Sequence, residues 1–335
     1  MRKIIKKIIP HSIKKRLSDF KLRRSIRRQY LYDYSNYIEY SNCFVRNDNS
    51  QKLLATIVRL YHVVEKGLTM PDMRMGFGAD NIKRLVNCCC LYNQNGYDIT
   101  NSQFIQCLSV LQEYIEVHKQ ANFELDQKLQ EVINKALSLV GRDLILNSDQ
   151  IDMSREEYFF SNDKAFDFFS NSRHSLRSFS GEVSMTQIEN AVKLAQNAPS
   201  ACNRQPSRVY VINDKDKIKE VLNLQHGNGG FGHLADKLIV LAAELEGYVA
   251  LETNAVYVDG GIYAMNLLYA LHFYKVGVCT LNWFANSDED KKLREVINLP
   301  NSQRVIVILA CGNVPEKFKI ALSKRNEYKT IYKII

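Results

Sequence analysis

Residues 252–276, ETNAVYVDGGIYAMNLLYALHFYKV, form a helix-length run with apolar side chains on nearly every face. A helix of that kind cannot lie on a surface with one side in water; it needs cover from a core or from a subunit interface. Four compact β-like runs surround it, RVYVI (208–212), KLIVLAA (237–243), GVCTL (277–281) and RVIVILA (304–310), and helical segments separate them. This grammar predicts an α+β domain in which helices flank a sheet and one of them is buried on it. Gly260 and Gly261 lower the helix's intrinsic stability and predict the close approach of another backbone. Ser184 and Gln187 predict a capping box that opens the helix TQIENAVKLAQNA, and Pro199 predicts its end.

Upstream the pattern is helical from about residue 50 to 145. Leu53, Leu54, Ile57, Val58, Tyr61 and Val64 recur at three- and four-residue spacing, as do Phe104, Leu108, Leu111 and Ile115. In YHVVEKGLTMPDMRMGFG the helix is expected to stop at Gly67, where Lys66 favours the helix dipole. His62, Glu65 and Lys66 read first as an ordinary helix end and second as the lip of a site. At 335 residues the chain has room for two domains. The divisions expected are a basic segment 1–28, a helical extension 29–160 and an α+β domain 161–335.

Charge is concentrated at the start: residues 1–28 carry twelve Lys/Arg and one acid, Asp19, a net +11, and the remainder sums to −2. Ile4, Ile5, Ile8 and Ile9 can share a helical stripe flanked by Lys3, Lys6 and Lys7, with Pro10 interrupting it. A basic amphipathic segment suits an anionic membrane surface; a solvated tail is the equal alternative, and nucleic acid stands behind both. No run of about 20 apolar residues could cross a bilayer, and no apolar core of a secretory leader follows the basic start. The eight cysteines show no paired CxxC spacing, so a metal site is not expected and they read as small apolar residues of a reducing compartment. These features predict a cytoplasmic protein, with peripheral attachment to the inner membrane face as a further expectation.

Two short stretches carry the chemistry. SRHSLRSFS (172–180) crowds Arg173, His174 and Arg177 among four serines, and guanidinium forks beside hydroxyl donors suit a phosphate; a polar loop is the plain alternative. APSACNRQP (198–206) puts Asn203 and Gln205 on a loop between a helix and a strand, where side-chain amides can read a heteroaromatic edge, although turn chemistry also uses these residues. GxSxG, HExxH and P-loop motifs are absent, and GNGGFG (227–232) reads as a mobile loop bordering a substrate opening.

In order and spacing, RHSLRSF (173–179), APSACNRQP (198–206), VDGGIYAMNLLYALHFYKVG (258–277) and RVIVILACG (304–312) followed by SKR resemble the nitroreductase family over residues 165–335. The resemblance implies a nitroreductase-like mixed sheet, an intimate homodimer and flavin mononucleotide (FMN) held at the dimer interface. It implies Arg173 and Ser175, with His174 beside them, as phosphate contacts, and Arg177 as the cation near the flavin's N1/O2 edge. It also implies Asn203 and Gln205 as amide contacts, Cys279, Thr280 and Leu281 along the ring, and Arg325 with its neighbour Lys324 as a C-terminal phosphate grip. The implied activity is a ping-pong FMN-dependent oxidoreductase. NADH or NADPH would donate a hydride, and a nitroaromatic, quinone or conjugated carbonyl would accept electrons. A specialised FMN dehydrogenase, a reductive dehalogenase and a non-catalytic flavin-binding protein at a membrane surface remain alternatives. The chain departs from the family at Ser207, where an aromatic often follows QP, at Ser323, where a cation is usual, and before KLIV, where a proline is common.

Overall fold

The computed structural model of the protein describes residues 10–145 and 150–335. The stripe of Ile4, Ile5, Ile8 and Ile9 therefore lies outside the described residues. Pro10 precedes a 30-residue helix, α1 (His11–Tyr40), in which none of the described side chains, residues 12–40, is buried. Lys14, Lys15 and Arg16 are exposed in its first half, as are Ile13, Leu17 and Phe20 at four- and three-residue spacing. Near its C-terminal end Asp33 accepts a hydrogen bond from Asn254 at 3.2 Å.

The helical lobe comprises α2 (Ser50–Leu68), α3 (Ala79–Gln94), α4 (Ser102–Gln120) and α5 (Gln127–Leu137). The three-to-four periodicity is realised as a core of its own: Leu53, Ile57, Tyr61 and Val64 of α2 meet Phe104, Leu108 and Leu111 of α4. Leu54 and Val58, on the same helix, remain partly exposed. Gly67 lies inside the last turn of α2 rather than after it, and the Phe77 ring packs so closely on it that a Cβ would not fit.

The second lobe is α+β. Its elements are β1 (Ile151–Ser154), α6 (Arg155–Phe159), α7 (Phe166–Ser172), α8 (Met185–Ala195), β2 (Ser207–Ile212), α9 (Lys215–Leu224), β3 (Lys237–Glu244), α10 (Ala255–Phe273), β4 (Gly277–Leu281), α11 (Ser287–Ile297), β5 (Gln303–Gly312) and β6 (Lys317–Ile320). The four strand runs read from the sequence are β2 to β5, and they pair in the order β2-β3-β5-β4, each pairing antiparallel. β1 and β6 form a separate antiparallel pair. The Ser184–Gln187 capping box opens α8, which ends at Ala195 before Pro199.

β3 is central and almost wholly buried, so alternate residues feed two cores. Leu238, Val240 and Ala242 face α9, α11 and the strip around Leu176 and Phe179. Ile239 and Leu241 face α8 and α10. α10 is only half covered. Leu267, Ala270 and Leu271 are buried, whereas Tyr257, Val258, Ile262 and Met265 are exposed. The expectation for its glycines divides: a Cβ on Gly260 would sit 2.5 Å from the Ile306 side chain, so the close neighbour is a side chain of β5, while Gly261 faces open space.

Candidate functional site

The strip 173–180 follows α7 and runs extended, because its alternate contacts are taken up by the sheet edge. Leu176 N–H donates to Val278 of β4 at 2.9 Å, Ser180 N–H donates to Asn313 at 2.9 Å, and Leu176 and Phe179 are buried in the core. Tyr158 O–H donates to the His174 carbonyl at 2.8 Å. Anchored in this way, the strip holds Arg177 at 8 % exposure, little for a guanidinium.

The surroundings of Arg177 are cationic. Burial, and after it the Arg177 charge, pulls Lys66 below the ordinary lysine value. Burial together with Arg173 and Arg325 pulls His174 down, and burial with Arg173 and His174 takes His272 down to about 3. The Nε atoms of Arg173 and Arg177 are buried and have no hydrogen-bond partner among the described residues. Buried donors of this kind are ordinarily satisfied. Cys279 lies on this side of β4, its thiol pushed up by burial, and Leu281 shares that face. Thr280 alternates to the other face and is exposed. Ser175 is half-buried and its hydroxyl makes no hydrogen bond among the described residues.

The wall opposite Arg177 is α2, the helix whose C-terminal YHVVEKG read first as an ordinary end. His62 Nε2 lies 3.4 Å from Arg177 Nη2. Its Nδ1 lies 3.0 Å from a Glu65 carboxylate oxygen, and the other Glu65 oxygen accepts from Ser323 N–H at 3.0 Å. Lys66 Nζ reaches the Gly227 carbonyl at 3.4 Å. The available signal was the i,i+3 spacing of His62 and Glu65, which puts both on one helix face. The sequence does not say which lobe that face meets. GNGGFG is braced rather than free: Phe231 is fully buried, and Asn228 donates to the carbonyls of Leu222 and Gln225 at 2.8 and 2.6 Å.

A groove of about 590 Å³ opens beside His62, with Leu54, Ala55 and Val58 as an apolar floor and Arg59, Lys324 and Arg325 at its edge. The C-terminal segment is tied to the helical lobe where Gln103 donates to the Lys324 carbonyl at 3.0 Å. Arg325 is exposed and donates to Ser323 O at 2.6 Å. A larger cleft of about 940 Å³, near Phe159 and Phe273, contains none of the expected residues.

Asn203 and Gln205 lie elsewhere. Their loop lines a cavity of about 190 Å³ with Asp259 and Tyr263. Ala201 N–H donates to Asp259 at 3.1 Å, and Arg204 forks onto Glu252 at 2.7 and 3.0 Å. Cys202, Asn203 and Gln205 take left-handed φ of 52°, 55° and 51°, strain that this bracing has to hold. Both amides are exposed, and Gln205 Nε2 donates only to the Asn203 carbonyl, at 3.3 Å. Within one chain the amide loop and the arginine strip do not share a cavity.

The α+β lobe thus buries Arg177 against α2 of the helical lobe and leaves the Nε donors of Arg173 and Arg177 without partners among the described residues, an arrangement chemically able to receive an anion. The strip and the amide loop together coincide with a family match: residues 171–229 match the model of the nitroreductase family. Similar solved structures include a putative NADH oxidase from Clostridium acetobutylicum, 27 % identical over 49 % of this chain and 97 % of that one, TM-score 0.41. An FMN-dependent nitroreductase from Clostridium difficile is 24 % identical over 49 % and 96 %, TM-score 0.42. A putative nitroreductase in complex with FMN from Desulfovibrio desulfuricans is 21 % identical over 49 % and 92 %, TM-score 0.42. No curated protein matches the chain. Among the described residues no helix is long and apolar enough to cross a membrane.

Proposed function

We propose that this protein is an FMN-dependent oxidoreductase that passes electrons from NADH or NADPH to a small acceptor of the nitroaromatic, quinone or conjugated carbonyl class. One observation carries the reading: the Arg177 side chain is buried, the half-buried Arg173 buries its Nε, and both Nε donors lack a partner beside Lys66 and His174, with no carboxylate hydrogen-bonded to either arginine in the described residues. A buried cation without a counter-ion is costly, and an anionic ligand removes that cost. The residues fit FMN. Arg173, Ser175 and Arg325 would hold the phosphate and Arg177 the electron-rich edge of the ring, with Cys279 and Leu281 beside it. When bound, the cofactor supplies the hydride chemistry, which explains why no acid–base triad is required of the protein. Arg177, charged at any relevant pH, stabilises negative charge that develops next to it.

Asn203 and Gln205 fit a two-chain site. Their loop is braced on Asp259 of α10, the helix with an open apolar face, and a second copy docked on that face would receive the amides at its own cofactor. The test is an absorbance spectrum of the purified protein before and after anaerobic addition of each nicotinamide. A flavin band that bleaches with NADH or NADPH is expected. Colourless protein that acquires no band with added FMN would end this reading.

A further inference from the structure

Resting on the flavin reading, we propose that His62, oriented by Glu65 from the helical lobe, is a positioning residue whose protonation accompanies anion binding at Arg177. Cofactor affinity is thereby coupled to proton uptake.

The geometry dictates the two states. An ionised carboxylate only accepts, so the imidazole Nδ1–H donates to Glu65 across 3.0 Å. Arg177 only donates, so at 3.4 Å the imidazole Nε2 faces it as an acceptor, and the ring is neutral. Adding a proton at Nε2 would set two donors against each other. An anionic oxygen placed against Arg177 reverses that preference. It accepts from Arg177 and gives Nε2–H a partner, while Nδ1–H stays on Glu65. The proton comes from water: His62 is 43 % exposed and lines the groove, whereas Glu65 is 1 % exposed and fixed by Ser323 N–H.

The charged groups around the ring point the same way. Lys66 and Arg59 flank His62 on α2, Arg177 faces it from the strip, and Lys324 and Arg325 approach from the C-terminal segment. Glu65 is the carboxylate hydrogen-bonded to it. With Nδ1–H on that carboxylate, only an acceptor placed at Nε2 gives a second ring proton a partner. Imidazole is the side chain that ordinarily changes charge near neutral pH, which sets the range in which the coupling is sought.

The sign follows from linkage. A group that becomes easier to protonate on binding makes the complex tighter at low pH, and the advantage disappears as pH rises. Two measurements on the full-length apoprotein test this, with FMN as the probe and riboflavin, which lacks the titrating phosphate, as the second. Calorimetry in buffers of different ionisation enthalpy counts the protons taken up, and fluorescence titration from pH 6 to 8 gives the affinity. The wild type should take up more protons per flavin than H62Q or H62N, amides that replace one ring nitrogen each and do not titrate. Its affinity should fall about tenfold more than theirs over that range. Equal proton counts and equal pH slopes in wild type and both variants, with FMN bound, overturn this proposal alone. A wild type that binds neither flavin overturns the flavin reading and this proposal with it.

Discussion

Arg173 and Arg177 belong to one short strip yet face different neighbours. Arg173 lies near His174 and His272, where its charge adds to burial in pulling both imidazoles below the ordinary histidine value. Arg177 lies under α2, against His62. If Arg173 grips a phosphate, Arg173→Ala should weaken FMN binding by about 1.5–3 kcal/mol, roughly ten- to a hundredfold, through the loss of a charge-assisted contact. Fluorescence titration of the apoprotein measures this, and an unchanged affinity would put the phosphate somewhere else. The strip was legible in the sequence because its chemistry is local: arginines and hydroxyls within seven residues. The orientation of each guanidinium was not, because it depends on anchors in β4, β5 and α2.

The same contrast holds for the elements. Strands β2 to β5 were readable because buried β-branched runs bounded by polar turns have few alternatives. Their order depends on pairing between segments far apart in the chain. At the entrance to β3, Asp236 is buried and accepts from Lys215 at 2.7 Å, Lys237 at 2.8 Å and Val183 N–H at 2.9 Å. Burial by itself would raise its carboxyl, but the two lysine hydrogen bonds and the backbone donor outweigh it and hold the group down to about 2. The folded value is below the unfolded one, so this stabilisation is present above about pH 4 and is lost as pH falls towards 2. Asp236→Ala should cost about 3–5 kcal/mol, since it leaves Lys237 buried without its counter-ion. It should also flatten the acid limb of the stability curve. Urea unfolding at pH 7 and at pH 3 measures both effects, and a variant as stable as wild type at pH 7 would show that the lysines find other partners.

At the scale of the whole molecule, the helical lobe walls the candidate site. α2 supplies His62 and Lys66 to the Arg177 wall, and Ser323 and Lys324 of the C-terminal segment are tied back to Glu65 and Gln103. The other unfinished surface is α10. An α10 face with Tyr257, Val258, Ile262 and Met265 in water calls for a second apolar surface. In the flavin reading that surface is another copy of the chain. Ile262→Asp should then convert a dimer to a monomer in light scattering and release most of the bound flavin, without lowering the helix content. A variant that remains dimeric would place the interface elsewhere.

Local chemistry determined what could be read directly from the chain: helix periodicity, capping at Ser184, strand runs, the arginine strip, the amide loop, and a central helix too apolar for one buried face. Each depends on residues within about one element's length, where sterics and hydrophobic spacing act without reference to the rest of the chain. Tertiary structure alone decided that His62 would meet Arg177 across 115 positions and that β1 would pair with β6. It also put the amide loop and the arginine strip on different cavities within one chain and left one side of α10 open. Those outcomes depend on which apolar faces bury one another, and burial is a property of the assembled lobes.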